Sequence, residues 1–227
     1  MSKAIVLLSG GLDSAVALYA AIAKGYKCHC LIFDYGQRHR VEIESAKKIA
    51  LKSGSEFRVV KLDFPWKGSS LVDEKESIPV NRTIDEIKSK VPSTYVPARN
   101  TIFLSNAASF AEAIGADAIF IGAHFEDSSG YPDCREDYLE AFSRVIELGT
   151  KRGSEKRLRL EFPLIKKSKS QIIEMGTSLG VPFELTWSCY KGGDEPCMVC
   201  DSCILRAKGF KEAHLADPIL GKEKCTR

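Results

Sequence analysis

The stretch Ala4-Ile5-Val6-Leu7-Leu8-Ser9-Gly10-Gly11-Leu12-Asp13-Ser14 decides how the rest of the chain is read. Five consecutive apolar residues with no polar alternation describe a strand buried on both faces, the mark of a parallel sheet. Beyond the glycines, Leu12, Ala15, Val16, Tyr19, Ile22 and Ala23 recur at helical spacing, so a strand runs through a tight turn into a helix. Two glycines let the backbone approach a ligand closely, and the unpaired amides at the helix start, with their positive dipole end, favour an anion. A phosphate is the expected guest. The motif is not the P-loop, which needs Lys-Ser or Lys-Thr after its last glycine.

Outward from this turn, strand and helix patterns alternate. Apolar strands are predicted over 28–33, 57–62 and 118–122, and helices over 39–53, ended by Gly54, and 100–114, ended by Gly115. The alternation implies an α/β fold, a Rossmann-like open and mostly parallel sheet with helices on both faces. Residues 63–96 break the rhythm with turn chemistry and charge, and are expected to form a mobile excursion that covers the site. Further helices are predicted near 136–149 and 168–179, the second opened by Ser168 and Gln171 at capping-box spacing. The basic stretch 151–159 reads as a solvated linker. A Rossmann-like domain over 1–165 and a helical C-terminal region over 166–227 are the expected organisation.

The chain has 227 residues, enough for one core with a small appendage. Its formal charge of +3 gives no argument for a nucleic-acid partner. No apolar run approaches the roughly 20 residues of a membrane span, and the first strand starts almost at Met1, so a soluble cytoplasmic protein without a membrane partner is expected. Eight cysteines without an export signal read as thiols and metal ligands rather than disulfides. Cys28 and Cys30 face one side of a strand as core thiols. Cys189, Cys197, Cys200 and Cys203 follow the spacing C-x7-C-x2-C-x2-C, with Gly192, Gly193 and Pro196 supplying bends. Four thiolates close a tetrahedral zinc, making such a knuckle over 189–203 structural; an iron-sulfur cluster is the rival reading.

The hexapeptide at 9–14 resembles the S-G-G-x-D-S loop of the ATP pyrophosphatase (PP-loop) superfamily, which implies a Rossmann-like fold holding the terminal phosphates of ATP, with attack at the α-phosphorus. Three more stretches narrow the match: Phe33-Asp34-Tyr35-Gly36-Gln37-Arg38-His39, Val96-Pro97-Ala98-Arg99-Asn100-Thr101 and Gly130-Tyr131-Pro132-Asp133-Cys134-Arg135. With the loop and the cysteine knuckle, they resemble the 7-cyano-7-deazaguanine synthase family over essentially the full length. That resemblance implies an ATP-dependent carbon-nitrogen ligase of queuosine-precursor synthesis, turning 7-carboxy-7-deazaguanine and ammonia into the nitrile through adenylated carboxylate and amide intermediates. ATP, Mg2+ and Zn2+ are the implied cofactors, and a homodimer the implied assembly.

Carried onto this sequence, the resemblance makes Leu8, Ser9, Gly10, Gly11, Leu12, Asp13, Ser14, Ala15, Val16, Ala17 and Leu18 the nucleotide-binding stretch. Tyr35, Gln37, Arg99, Glu126, Tyr131, Asp133 and Arg135 are substrate-binding candidates. Asp13, Arg99, Arg135 and His39 are catalytic candidates, and Cys189, Cys197, Cys200 and Cys203 hold the metal. Arg99 and Arg135 suit a carboxylate or a developing phosphate charge. Asp133 or Glu126 would accept from a guanine-like edge, while Tyr35, Phe125 or Tyr131 would stack on it. His39 and His124 lie just past strand ends, where ligands sit. Cys134 is a conceivable nucleophile, and Lys166, Lys167 and Lys169 are placed to reach phosphates. The rivals are another adenylating enzyme of the same superfamily, such as a tRNA thiolase or lysidine synthase, and a non-catalytic ATP-binding sensor.

Overall fold

In the computed structural model, residues 1–124 and 130–220 are described, apart from the Lys88 side chain. Strands β1 (Lys3–Leu7), β2 (Lys27–Asp34), β3 (Glu56–Lys61), β4 (Ala118–Phe120) and β5 (Arg159–Glu161) form one sheet in the order β3-β2-β1-β4-β5. Every neighbouring pair is parallel, and Val6 at the centre pairs with Cys30 on one side and Phe120 on the other. The side chains alternate between two cores even where the sequence does not alternate in polarity. Ala4, Val6 and Leu8 join Cys28, Cys30, Ile32 and Phe120 on one face. Ile5 and Leu7 join Leu31, Phe33 and Ile119 on the other. This explains the unbroken apolar run of β1, since neither face meets water.

The described helices are α1 (Leu12–Ala23), α2 (Val41–Lys52), α3 (Ile84–Ser89), α4 (Arg99–Ile114), α5 (Glu136–Gly149), α6 (Lys151–Ser154), α7 (Lys169–Ser178) and α8 (Asp201–Glu212). Helices α1, α2, α7 and α8 cover the first face of the sheet, and α4 and α5 cover the second. The capping box at Ser168 and Gln171 forms as expected. Ile172, Ile173, Phe183 and Phe210 of the C-terminal region share one core with β1, while Cys189, Cys200 and Cys203 form a small buried cluster apart from it. Fully burying Ile172 and Ile173 contributes on the order of 1.5–3 kcal/mol each.

Two segments hold regular structure that the sequence reading did not assign to them. The stretch 151–159, expected as a solvated linker, holds α6, buries Leu158 and opens β5, an edge strand that buries Leu160. Within 63–96, Thr83 and Glu86 form a capping box at α3, Val80 bridges antiparallel to Cys200, and Phe64, Leu71 and Val96 enter the second core. Between β1 and β4 the sheet order reverses, and the loops leaving these two strands part to leave a crevice at their carboxyl ends.

Candidate active site

The loop after β1 enters that crevice already braced. Leu8 N–H donates to Leu31 C=O at 2.9 Å, prolonging the ladder past the end of β1. Gly10 then takes φ +90°, and a Cβ there would lie 2.1 Å from the Glu42 carbonyl oxygen. Only glycine lets α2 press this closely on the turn. Ser14 Oγ accepts from Ser9 N–H at 3.2 Å and donates to Gly11 C=O at 3.0 Å, while Ser9 Oγ accepts from Gly11 N–H at 3.2 Å. Trp187 N–H donates to Gly10 C=O at 2.8 Å.

Facing this loop is an ion-paired group drawn from three elements. Lys169 Nζ, at the start of α7, lies 2.8 and 2.9 Å from the two Asp13 carboxylate oxygens and 2.8 Å from His124 Nε2. An ammonium only donates, so His124 accepts at Nε2. Burial pushes the Asp13 carboxyl up, but the charge and hydrogen bonds of Lys169 outweigh it, holding it below the ordinary carboxylate value. The Lys169 stem lies against Gly209 of α8, where a Cβ would come 2.3 Å from its Cγ. A capped helix start and a close helix contact thus place one ammonium beside the phosphate loop.

The opposite wall is aromatic and cationic. Phe33 and Phe103 stack with centroids 3.9 Å apart. Arg99 Nη1 donates to the Tyr35 hydroxyl at 2.9 Å, its guanidinium 5.7 Å from the centre of the same ring. Burial pushes the Tyr35 phenol up to about 12 despite the neighbouring Arg99, so it stays protonated. Arg99 follows Ala98, a non-glycine residue at φ +53°, a conformation that costs about 1–3 kcal/mol and gathers at functional sites. Asp133 Oδ2 accepts from Asn100 N–H at 2.9 Å, capping the first turn of α4. Asn100 Nδ2 donates to Asp133 C=O and to Cys134 Sγ, each at 3.1 Å. The Tyr131 hydroxyl meets Thr94 Oγ1 at 2.8 Å.

Between these walls lies one cavity of about 250 Å³, whose lining does not include His124, Asp133 or Thr94. Leu8, Ser9, Gly11, Leu12, Asp13 and Ser14 line it, as do Tyr35, His39, Arg99, Tyr131 and Cys134. Ala15, Val16, Ala17 and Leu18 do not; they lie beyond the first turn of α1, fully buried in the first core. Gln37 is spent inside its own turn, accepting from Tyr35 N–H at 2.9 Å and donating to Phe33 C=O and Glu42 Oε1 at 3.0 Å each. Arg135 is exposed at the start of α5, outside the lining. Glu126 and Phe125 lie outside the described residues.

The cavity also recruits residues that sequence reasoning left out. Arg82 reaches in from the 63–96 segment and pairs through Nε at 3.0 Å and through Nη2 with buried Asp201 at the start of α8. Glu42, Trp187, Ser188, Tyr190 and Arg206 complete the walls. Arg206 is held by Asp217, at 2.7 and 2.9 Å, and by Thr186 Oγ1 at 2.7 Å. Glu42 had a legible signal, standing three residues after His39 on a helix start. Arg82 and Asp201 had none, because their partnership joins distant parts of the chain.

The four predicted cysteines converge. Their sulfurs all lie within 4.8 Å of one another, and Cys189, Cys200 and Cys203 are buried. None is in a disulfide. A Zn–S bond of about 2.3 Å implies sulfur-sulfur edges of about 3.8 Å in a tetrahedron, so the group fits a single ion. The knuckle touches the phosphate loop through Trp187, whose indole Nε1–H donates to Cys189 C=O at 2.9 Å. Among the described residues, no helix is long and apolar enough to cross a membrane.

Comparison with known proteins places this geometry. Residues 3–214 match the family model described as Queuosine biosynthesis protein QueC. The 7-cyano-7-deazaguanine synthase of Nostoc punctiforme is 52% identical, covering 96% of this chain and 99% of that protein. The one from Thermoplasma acidophilum is 50% identical, covering 96% and 91%. In structure, NMN synthetase from Francisella tularensis shares the fold at 18% identity, with a TM-score of 0.50 over 96% of this chain and 81% of that one.

Proposed function

The chain belongs to the 7-cyano-7-deazaguanine synthase family of queuosine biosynthesis, and from that premise we propose that it converts 7-carboxy-7-deazaguanine and ammonia to the nitrile at the expense of ATP. One juxtaposition carries the reading: a braced Ser-Gly-Gly loop and the Lys169 ammonium on one wall of the crevice, the Arg99 guanidinium on the other. A carboxylate resists amines until its oxygen becomes a leaving group. Attack on the α-phosphorus of ATP releases pyrophosphate and leaves an acyl adenylate. Ammonia displaces AMP to form the amide, and a second adenylation, at the amide oxygen, lets that oxygen depart as AMP and leaves the nitrile.

Each step asks for charges that the cavity supplies. The Ser9, Gly10, Gly11 and Ser14 loop, at the head of α1, suits the terminal phosphates. Lys169 would neutralise them, and Arg99 would take the substrate carboxylate in a bidentate grip. The Asp13 carboxylate is the natural holder for Mg2+, which when bound shields the phosphate charge from the incoming anion. The remaining contacts, from Tyr35, Asn100 and Tyr131, would fix the base. Cys189, Cys197, Cys200 and Cys203 would hold Zn2+ with no position left open, a structural role. Sulfurs this close favour one ion over an iron-sulfur cluster, whose cysteines sit on separate irons and stand farther apart. A soluble cytoplasmic homodimer, expected from the family resemblance, belongs to the same proposal.

The test is direct. The protein is incubated with ATP, magnesium, an ammonium salt and 7-carboxy-7-deazaguanine, and the nitrile is sought by mass spectrometry. Its appearance supports the reading; ATP bound but left unspent contradicts it.

A further inference from the structure

The nitrogen that enters as ammonia ends in a nitrile with no hydrogen, so three protons must leave it. One goes as the C–N bond forms and the C–O bond to the first adenylate breaks, its electron pair departing on AMP. Two more go from the adenylated amide, in which the nitrogen lone pair has already become the first C–N π bond: one N–H pair returns to nitrogen as its lone pair, and the other becomes the second π bond as the C–O bond breaks onto AMP. A base beside the reacting carbon is therefore needed in both halves of the reaction. This requirement rests on the function proposed above.

Among the described residues, one cavity-lining side chain offers an unused acceptor. His39 is 3% exposed, and its Nε2 lies 3.1 Å from Glu42 Oε2. A carboxylate only accepts, so Nε2 carries a hydrogen, and in the neutral imidazole Nδ1 is the atom left with a lone pair. That Nδ1 is buried and has no hydrogen-bond partner. Leaving a buried acceptor unmade costs about 1–3 kcal/mol, a cost the fold keeps where a ligand completes the site. The tautomer is enforced from behind, because Glu42 Oε1 accepts from Gln37 Nε2 at 3.0 Å and Gln37 is locked to Tyr35 N–H and Phe33 C=O. The Tyr190 ring stands edge-on at 5.8 Å. A guest for Nδ1 must be small and must donate a hydrogen, as ammonia and the amide both do.

We propose that His39 Nδ1 takes the protons from the reacting nitrogen, with Glu42 and Gln37 as positioning residues that hold the imidazole in its Nε2–H form. After each transfer the imidazolium passes its proton to solvent before the next.

The test separates adenylation from nitrogen chemistry. Pyrophosphate–ATP exchange with 7-carboxy-7-deazaguanine and Mg2+, without ammonia, reports only the first adenylation; nitrile formation reports the whole sequence. In His39→Asn, exchange persists while nitrile formation falls about 10²–10⁴-fold. Glu42→Gln, which keeps the shape and removes the charge, shows the same split with a smaller loss, about 10-fold. Both signals kept in His39→Asn, or both lost in parallel in the two variants, overturns the role. A wild-type protein with neither exchange nor nitrile overturns the function itself, and this role with it.

Discussion

The phosphate loop and the cysteine knuckle wall the same cavity, yet they are held in opposite ways. The loop is supported by its own atoms: Ser9, Gly11 and Ser14 bond one another, and α2 presses on Gly10. The knuckle has little of this. Between Cys189 and Cys200 the regular structure amounts to a single bridge to Val80, and four sulfurs face one another. One wall is self-supporting, and the other calls for a cation. They meet at Trp187, bonded to Gly10 through its backbone and to Cys189 through its indole.

The largest expected effect comes from removing the cation. Structural zinc contributes on the order of 10 kcal/mol or more in small zinc domains. Cys200→Ser, or treatment with a strong chelator, should therefore lower the melting temperature sharply, and elemental analysis should find the metal lost. An unchanged melting curve would erase the contrast between the walls. Lys169→Met attacks the other wall without touching its brace: pyrophosphate–ATP exchange should fall about 10²–10³-fold. Gly10→Ala breaks the brace itself, setting a Cβ at φ +90° against a backbone oxygen. It should cost about 2–3 kcal/mol in denaturant unfolding, and a cost near zero would mean the turn is not held by α2. The smallest effect belongs to the link. Trp187→Phe removes the bond to Cys189 together with part of the ring and should cost about 1–2 kcal/mol.

Legibility in the sequence followed the same divide. The loop could be read because its determinants are local: an apolar run, two glycines and a helix periodicity within 20 residues. The knuckle ligands could be read from spacing alone. Strand β5 could not, since Leu158 and Leu160 alternate with Arg157, Arg159 and Glu161, and at an edge that alternation looks like a basic linker. Helix α8 was hidden because Cys203, Gly209 and buried Arg206 interrupt its apolar stripe. In the site, Lys169 stood out no more than Lys166 and Lys167. Only the packing of α7 on α8 buries one of the three and leaves Lys166 78% exposed. Ala15 to Leu18, expected within the nucleotide-binding stretch, lie past the first turn of α1, where the core claims their side chains and none lines the cavity.

The central claim is that this one crevice spends ATP twice on the same carbon. Counting AMP against nitrile in a single reaction, by chromatography and mass spectrometry together, tests it most directly. The account predicts two AMP and two pyrophosphate for each nitrile formed; ADP and phosphate as the spent nucleotide, or a single AMP per nitrile, would contradict it.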